Sequence, residues 1–160
     1  MPKLRAELEG RTVLDRTLDA VRASGLPWHV EDRGHPGMGD SIAAAVRATR
    51  DAPGWLVLPG DLPLIAPASL LAVAQALAGS AGAVVPEFEG TRGHPVGFGA
   101  AARDALEALQ GEDGARQVLK QLQAMGAVSR LVLDDSGMVA DIDTLADLER
   151  AAIRLRGRLA

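Results

Sequence analysis

Three aspartates stand where their carboxylates suit a metal ion. Asp61 follows the apolar run 55–58, which is typical of a buried parallel strand, and ligands of open α/β sheets bind beyond the carboxyl ends of such strands. Asp141 and Asp143 are two residues apart in an extended stretch, so their side chains point to the same side. Magnesium needs only one or two protein carboxylates beside water and phosphate oxygens. We therefore predict a metal site at Asp61 that Asp143 could complete.

Two of these aspartates also have purely structural explanations. Asp61 could belong to a simple turn between Pro59 and Pro63, and Asp143 could serve only to start the following helix. Taken singly, the turn explains Asp61 as well as a metal does, and the helix start explains Asp143 better. Their joint occurrence favours the metal site.

Two loops carry further candidate residues. The segment 37–41, Gly-Met-Gly-Asp-Ser, offers flexible backbone and free amides at a helix start, which suits phosphate oxygens or the edge of a base. Helix capping alone explains such residues too. The segment 93–95, Gly-His-Pro, holds a histidine that could face a cleft and bind a polar substrate, or could simply lie at the surface. His29 and His35 are assigned no role.

The elements that must position these residues alternate along the chain. An apolar stripe at helical spacing predicts a first helix, and the pair Thr144 and Asp147 predicts a capping box at the start of the last one. Strands alternating with helices predict a three-layer α/β fold with a mainly parallel sheet, in one domain over 1–160. Helices are predicted over 12–23, 41–49, 67–78, 100–109, 114–124 and from 144, and strands over 28–31, 55–58, 83–86 and 131–133.

Composition narrows the possible partners. The 160 residues include 17 Lys and Arg against 21 Asp and Glu, and the net charge of −4 gives no general attraction to nucleic acid or to an anionic membrane. A small-molecule partner is expected instead. The absence of cysteine excludes disulfides, thiolate metal ligands and a cysteine nucleophile. Neither a signal-peptide core nor a membrane-spanning apolar run is found, so the expected location is the cytoplasm.

Four segments in order resemble the motif series of the MobA-like nucleotidyltransferases, and the nearest branch looks like the molybdenum cofactor cytidylyltransferases. They are Gly37-Met38-Gly39-Asp40-Ser41, Leu58-Pro59-Gly60-Asp61-Leu62-Pro63, Arg92-Gly93-His94-Pro95-Val96 and Asp141-Ile142-Asp143-Thr144. The resemblance covers nearly the whole chain. It implies a Rossmann-like nucleotidyltransferase fold and an enzyme that binds CTP or GTP with Mg2+. The implied reaction moves the nucleoside monophosphate to molybdopterin and releases pyrophosphate.

The resemblance also implies roles for single residues. Asp61 would be the principal magnesium ligand, with Asp143 and Asp141 as further acidic contacts, and Lys3 would neutralise phosphate charge. The implied partners are CTP or GTP, a molybdopterin-type acceptor and a molybdoenzyme, and the choice of base stays open. The nucleotide contacts would be Lys3, Gly37, Gly39, Ser41, Gly60 and Asp61, the acceptor contacts Gly93, His94 and Pro95, and the catalytic residues Lys3 and Asp61.

The chain departs from the family at its front. Family members open with a strand and a loop of the type Leu-Ala-Ala-Gly-x-x-x-Arg-x-Gly, followed shortly by a lysine, and here only the residues around Lys3 align with it. The expectation is an N-terminally truncated domain that lacks the usual first strand. Because that strand is normally central, its loss would expose an edge beside 55–58, so we predict a homodimer or a rearranged sheet.

Two other functions fit the same residues. A catalytically inactive relative would bind a nucleotide, a pterin or a molybdoenzyme as an accessory protein, without turnover. A sugar-phosphate nucleotidyltransferase would share the fold, although the motif series fits the pterin branch better.

Overall fold

The computed structural model describes residues 2–80 and 82–159, with only the backbone of Leu159, and it alternates strands and helices along that length. The strands are β1 (Glu7–Leu8), β2 (Arg11–Thr12), β3 (Gly54–Val57), β4 (Ala83–Phe88), β5 (Thr91–Arg92), β6 (Val96–Gly99) and β7 (Val128–Val132). The helices are α1 (Val13–Ser24), α2 (Met38–Ala48), α3 (Pro67–Ala78), α4 (Arg103–Glu107), α5 (Arg116–Ala124) and α6 (Leu145–Leu159), with short 3-10 helices at Lys3–Arg5, Ala100–Ala102 and Ser136–Val139.

The main sheet is mixed. Strands β3, β4 and β7 share one direction, but β6 lies between β3 and β4 and runs antiparallel to both. Strand β5 pairs with the far end of β4, so β5 and β6 form one returning stretch that is interrupted at Gly93-His94-Pro95. The predicted α/β class is confirmed, while the expected mainly parallel sheet is a mixed one because of this return. The pattern of alternating strands and helices in the sequence does not reveal the direction of such a return.

Helices cover both faces of the sheet, as the three-layer prediction requires. Neighbouring strand residues point to opposite faces, and Gly97 and Phe98 on β6 show which helices lie where. A methyl group at Gly97 would lie 3.3 Å from Val73 Cγ1 of α3. Phe98, fully buried, packs instead with Ile42 of α2, Leu106 of α4 and Val118 of α5. Helix α3 is therefore on one face, and α2, α4 and α5 are on the other.

The last helix begins with the predicted capping box. Thr144 Oγ1 accepts a hydrogen bond from Asp147 N at 3.1 Å, and Asp147 Oδ2 accepts one from Thr144 N at 3.0 Å. These bonds satisfy amides that the helix itself cannot pair. The buried residues Ala151 and Leu155 then pack α6 against Leu8, Val13, Leu64 and Ile142.

The predicted strand over 28–31 is wrong. That segment pairs with no strand among the described residues, and Trp28 is half exposed and lies under the guanidinium of Arg22 at 5.4 Å. Its polar side chains bond locally instead, since Glu31 contacts His29 within the segment and His35 shortly after it. The β propensity of Trp and Val produces a strand only where a neighbouring strand is available.

Strand β3 lies at one end of the strand order. Its only strand neighbour among the described residues is β6, and all four of its residues are partly exposed. The expected homodimer stays a prediction. Across the described residues, no helix combines the length and apolar character needed to span a bilayer.

Candidate functional site

Three carboxylates meet beyond the end of β3. One oxygen from each of Asp61, Asp141 and Asp143 lies within 4.8 Å of the others. The backbone holds them together, because Ile142 N donates to the carbonyl oxygen of Asp61 at 3.0 Å. The side chain of Ile142 is buried, and the alternation of an extended stretch turns its two neighbours outward to the same side. Residues 80 positions apart in the chain thus form one acidic cluster.

An ammonium group bridges two of these carboxylates. Lys3 Nζ donates to Asp61 Oδ2 at 2.7 Å and to Asp143 Oδ1 at 2.8 Å. Lys3 lies on the first 3-10 helix, and the neighbouring Leu4 contacts the region of Gly60. The N-terminal segment therefore delivers a positive charge to the acidic cluster.

The charges of the cluster depend on one another. Burial acts to lower the pKa of Lys3, but hydrogen bonds to Asp143 and Asp61 outweigh it and raise that pKa, so the ammonium form persists. The bond from Lys3, and then the contact with Asp141, lowers the pKa of Asp143. Burial, and then the neighbouring Asp143, raises the pKa of Asp141. Bringing a second positive charge to the cluster would favour the charged form of Asp141.

The donor set fits a divalent cation of the magnesium type. All three side chains offer hard carboxylate oxygens, which Mg2+ and Mn2+ prefer. Asp61 Oδ1 is buried and accepts no hydrogen bond from any described residue. A buried carboxylate oxygen without a partner is costly, and a metal ion would satisfy it. These residues can therefore hold a cation, with Lys3 as its competitor for the other oxygens.

This competition gives a testable expectation for Lys3→Gln. The variant should bind Mn2+ about threefold or more tightly, because it removes a positive charge that shares oxygens with the ion. Electron paramagnetic resonance of free Mn2+ measures the affinity directly. Arg5→Gln is the matched control, since it removes a charge from the same 3-10 helix without a described bond to the cluster. Equal Mn2+ affinity in the unchanged protein and in both variants would contradict the competition between Lys3 and the metal ion for the same carboxylate oxygens.

A pocket of about 320 Å3 opens beside the cluster. Lys3 and the three aspartates form one part of its wall, and His94 with Arg92 forms another. Its full lining is Lys3, Met38, Pro59, Asp61, Leu62, Thr91, Arg92, His94, Met138, Val139, Asp141 and Asp143.

His94 enters this pocket from the interruption between β5 and β6. Its backbone N donates to Met138 O at 3.2 Å rather than to β4, and a methyl group at Gly93 would lie 2.9 Å from Met138 O, so the turn is pressed against the 3-10 helix Ser136–Val139. Burial lowers the pKa of the imidazole despite the charge of Asp61. Its Nδ1 is buried without a partner among the described residues. Burial thus favours the neutral imidazole in the wall of the pocket.

The glycines of the segment 37–41 have a packing reason of their own. Gly39 N donates to Gly111 O at 2.8 Å, and a methyl group at Gly37 would lie 2.4 Å from the same oxygen. Ser41 N is bonded to Gly37 O at 3.1 Å. Two amides expected to be free for a nucleotide are therefore used inside the protein. Met38, between the two glycines, is the residue of this segment that lines the pocket.

Gly60 and Pro95 have structural roles beside the pocket. The carbonyl oxygen of Gly60 accepts a bond from Thr17 Oγ1 at 2.7 Å, which fixes the backbone directly before Asp61. Pro95 follows His94 in the turn and does not line the pocket. Sequence reasoning assigned no role to Arg92, and its position beside the Gly93 turn was the available signal.

Residues 15–125 match the sequence profile of the MobA-like NTP transferase domain. The chain belongs to the MobA-like NTP transferase family. A relative from Bacillus subtilis, purine catabolism protein PucB, is 35% identical over 155 aligned positions, which cover 88% of this chain and 74% of PucB. The profile includes Asp61 and the Gly93 turn, whereas Lys3, Asp141 and Asp143 lie outside it.

Solved structures share the fold of this MobA-like chain. Rv0371c of Mycobacterium tuberculosis has a TM-score of 0.76 at 23% identity, over 96% of this chain and 89% of that one. The same protein has also been solved with manganese, at a TM-score of 0.74 and 22% identity, over 95% and 92% of the two chains. A 2-C-methyl-D-erythritol 4-phosphate cytidylyltransferase of Thermus thermophilus has a TM-score of 0.71 at 24% identity, over 97% and 94%. These likenesses establish the nucleotidyltransferase-like fold.

Proposed function

We propose that this chain transfers CMP from CTP to the terminal phosphate of a molybdopterin acceptor and releases pyrophosphate. The cluster of Asp61, Asp141 and Asp143 with Lys3 carries the proposal, because a triphosphate brings negative charge that a metal ion and a lysine can neutralise. The order of the four sequence motifs supports a pterin acceptor. GTP is the alternative donor, and a molybdoenzyme would receive the product.

The residues of the cluster would hold Mg2+, with Asp61 as the principal ligand and Asp143 and Asp141 as further acidic contacts. When bound, the metal neutralises charge on the phosphates and so lowers the barrier to attack. Lys3 Nζ has three N–H donors, and two of them are bonded to carboxylates here, so one is free for a phosphate oxygen. Lys3 would thus orient the nucleotide relative to the cluster.

The transfer itself needs no covalent intermediate on the protein. An oxygen of the acceptor phosphate attacks the α-phosphorus and forms the new P–O bond. The bond from that phosphorus to the oxygen bridging to the β-phosphate breaks, and the electron pair leaves with pyrophosphate. The contribution of the protein is to align the two phosphates and to balance their charge. Neutral His94 is suited to hold a polar group of the acceptor, since its side chain lines the same pocket as the cluster.

Release of pyrophosphate tests the proposal. The chain is mixed with molybdopterin, Mg2+ and either CTP or GTP, and a coupled assay follows pyrophosphate. We expect release with CTP that depends on both the metal and the acceptor. Binding of CTP and molybdopterin without release from either nucleotide would favour an accessory binding protein. Release with a sugar phosphate as acceptor, but not with molybdopterin, would favour the sugar-phosphate branch.

A further inference from the structure

A second pocket, of about 280 Å3, carries only positive and neutral side chains. It is lined by Arg92, Arg116, Leu119, Lys120 and Gln123. Within residues 2–80 and 82–158, none of its three cations forms an ion pair. The whole chain has a net charge of −4, so a group of three cations around one pocket is opposite in sign to the chain as a whole. We call this site the basic pocket.

Most of the basic pocket comes from one face of α5. Arg116, Lys120 and Gln123 are spaced at i, i+4 and i+7, which places them in one row along the helix. The arrangement does not stabilise the helix. Like charges four residues apart repel each other, and Arg116 lies at the positive end of the helix dipole. An anion between these side chains would reverse both unfavourable effects.

A neighbouring arginine shows the contrast. Arg130 on β7 binds both oxygens of Glu87, at 2.8 Å and 2.7 Å, and is neutralised by that carboxylate. Arg92 lies opposite Glu87 in the β4–β5 register, but the carboxylate is already engaged by Arg130. Arg92 is therefore left available to a ligand.

Arg92 also lines the larger pocket with the acidic cluster, so the two pockets meet at its side chain. The basic pocket has no carboxylate in its lining, which makes it unsuitable for a metal-bound triphosphate and suitable for an anion without a metal. Lys3 and the three aspartates, by contrast, line only the larger pocket. We propose that the basic pocket binds an anionic group of the acceptor other than the phosphate that attacks the nucleotide. The identity of that anion as acceptor rests on the proposed function.

Titration with inorganic phosphate tests the site directly. In 15N NMR spectra, phosphate should shift the amide signals of Arg116 to Gln123, and the double variant Arg116→Gln, Lys120→Gln should weaken this binding about tenfold or more. Binding of CTP with Mg2+ should stay within about twofold, because neither residue lines the larger pocket. The control double variant Arg103→Gln, Arg150→Gln removes the same charge outside both pockets, and we expect unchanged phosphate binding.

Each other outcome has a definite meaning. Phosphate binding that is unchanged in the pocket variant, or equally weakened in the control, would overturn the site. Equal loss of phosphate and CTP binding would assign the pocket to the triphosphate and overturn the acceptor role. If the unchanged chain releases no pyrophosphate while the phosphate titration behaves as expected, the proposed function fails and the anion site stands.

Discussion

Pyrophosphate release from CTP is expected to fall about 100-fold to 1,000-fold when Asp61 is replaced by asparagine. The carboxylate of Asp61 has one oxygen on Lys3 and a second, buried oxygen with no described partner. The amide of asparagine has nearly the same shape, but it carries no charge to hold a cation or to anchor the ammonium. The loss should appear mainly in kcat and in the Mn2+ affinity, both measured on purified protein.

The fold should survive this change. Asp61 Oδ2 bonds only to Lys3 among the described side chains, and the backbone of Asp61 still accepts the bond from Ile142. Asp104→Asn is the matched control, because its side chain is 89% exposed and its one ion pair among the described residues is with Arg103, at 3.7 Å. Full turnover by the Asp61→Asn protein would show that the acidic cluster takes no part in the reaction. A melting temperature that falls with the activity would point to a structural role instead.

The acidic cluster shows what a single sequence can predict about a site. The position of Asp61 after a buried strand points to a ligand site, and the spacing of Asp141 and Asp143 puts both on one side of an extended chain. Those rules are local; the structure places the three carboxylates close together, and their role as metal ligands stays a prediction. The bond between Ile142 N and Asp61 O, which brings the two segments together, depends on packing that no local pattern encodes.

The basic pocket and the mixed sheet escaped prediction for a similar reason. Arg116 and Lys120 form a row on α5 that looks like any solvated helix face, and only the fold brings Arg92 beside them. The antiparallel return of β6 between β3 and β4 is likewise a long-range pairing. At Gly37 the sequence pattern was visible but had a second explanation. The glycine expected to bind a nucleotide is also required by a close contact with Gly111.

Replacing Gly137 by alanine is expected to lower the free energy of unfolding by about 3 kcal/mol. A methyl group there would lie 2.1 Å from Leu64 O and 2.5 Å from Leu64 C, and both are backbone atoms of a buried residue. The contact cannot relax easily, because Asp135 binds Gly137 N with one oxygen and Ala66 N and Ser69 Oγ with the other. Denaturant unfolding measures the change.

The same chain offers a matched substitution with the opposite sign. Gly157 lies inside α6, and a methyl group there meets no atom within 4 Å, so Gly157→Ala should raise the free energy of unfolding by up to about 1 kcal/mol. Gly137→Ala should also raise the KM for the acceptor, since Met138 contacts the backbone of His94 and lines the larger pocket. Two variants of equal stability would mean that the 3-10 helix is free to move away from Leu64. A destabilised Gly137→Ala protein with normal acceptor binding would show that the 3-10 helix Ser136–Val139 does not position the acceptor site.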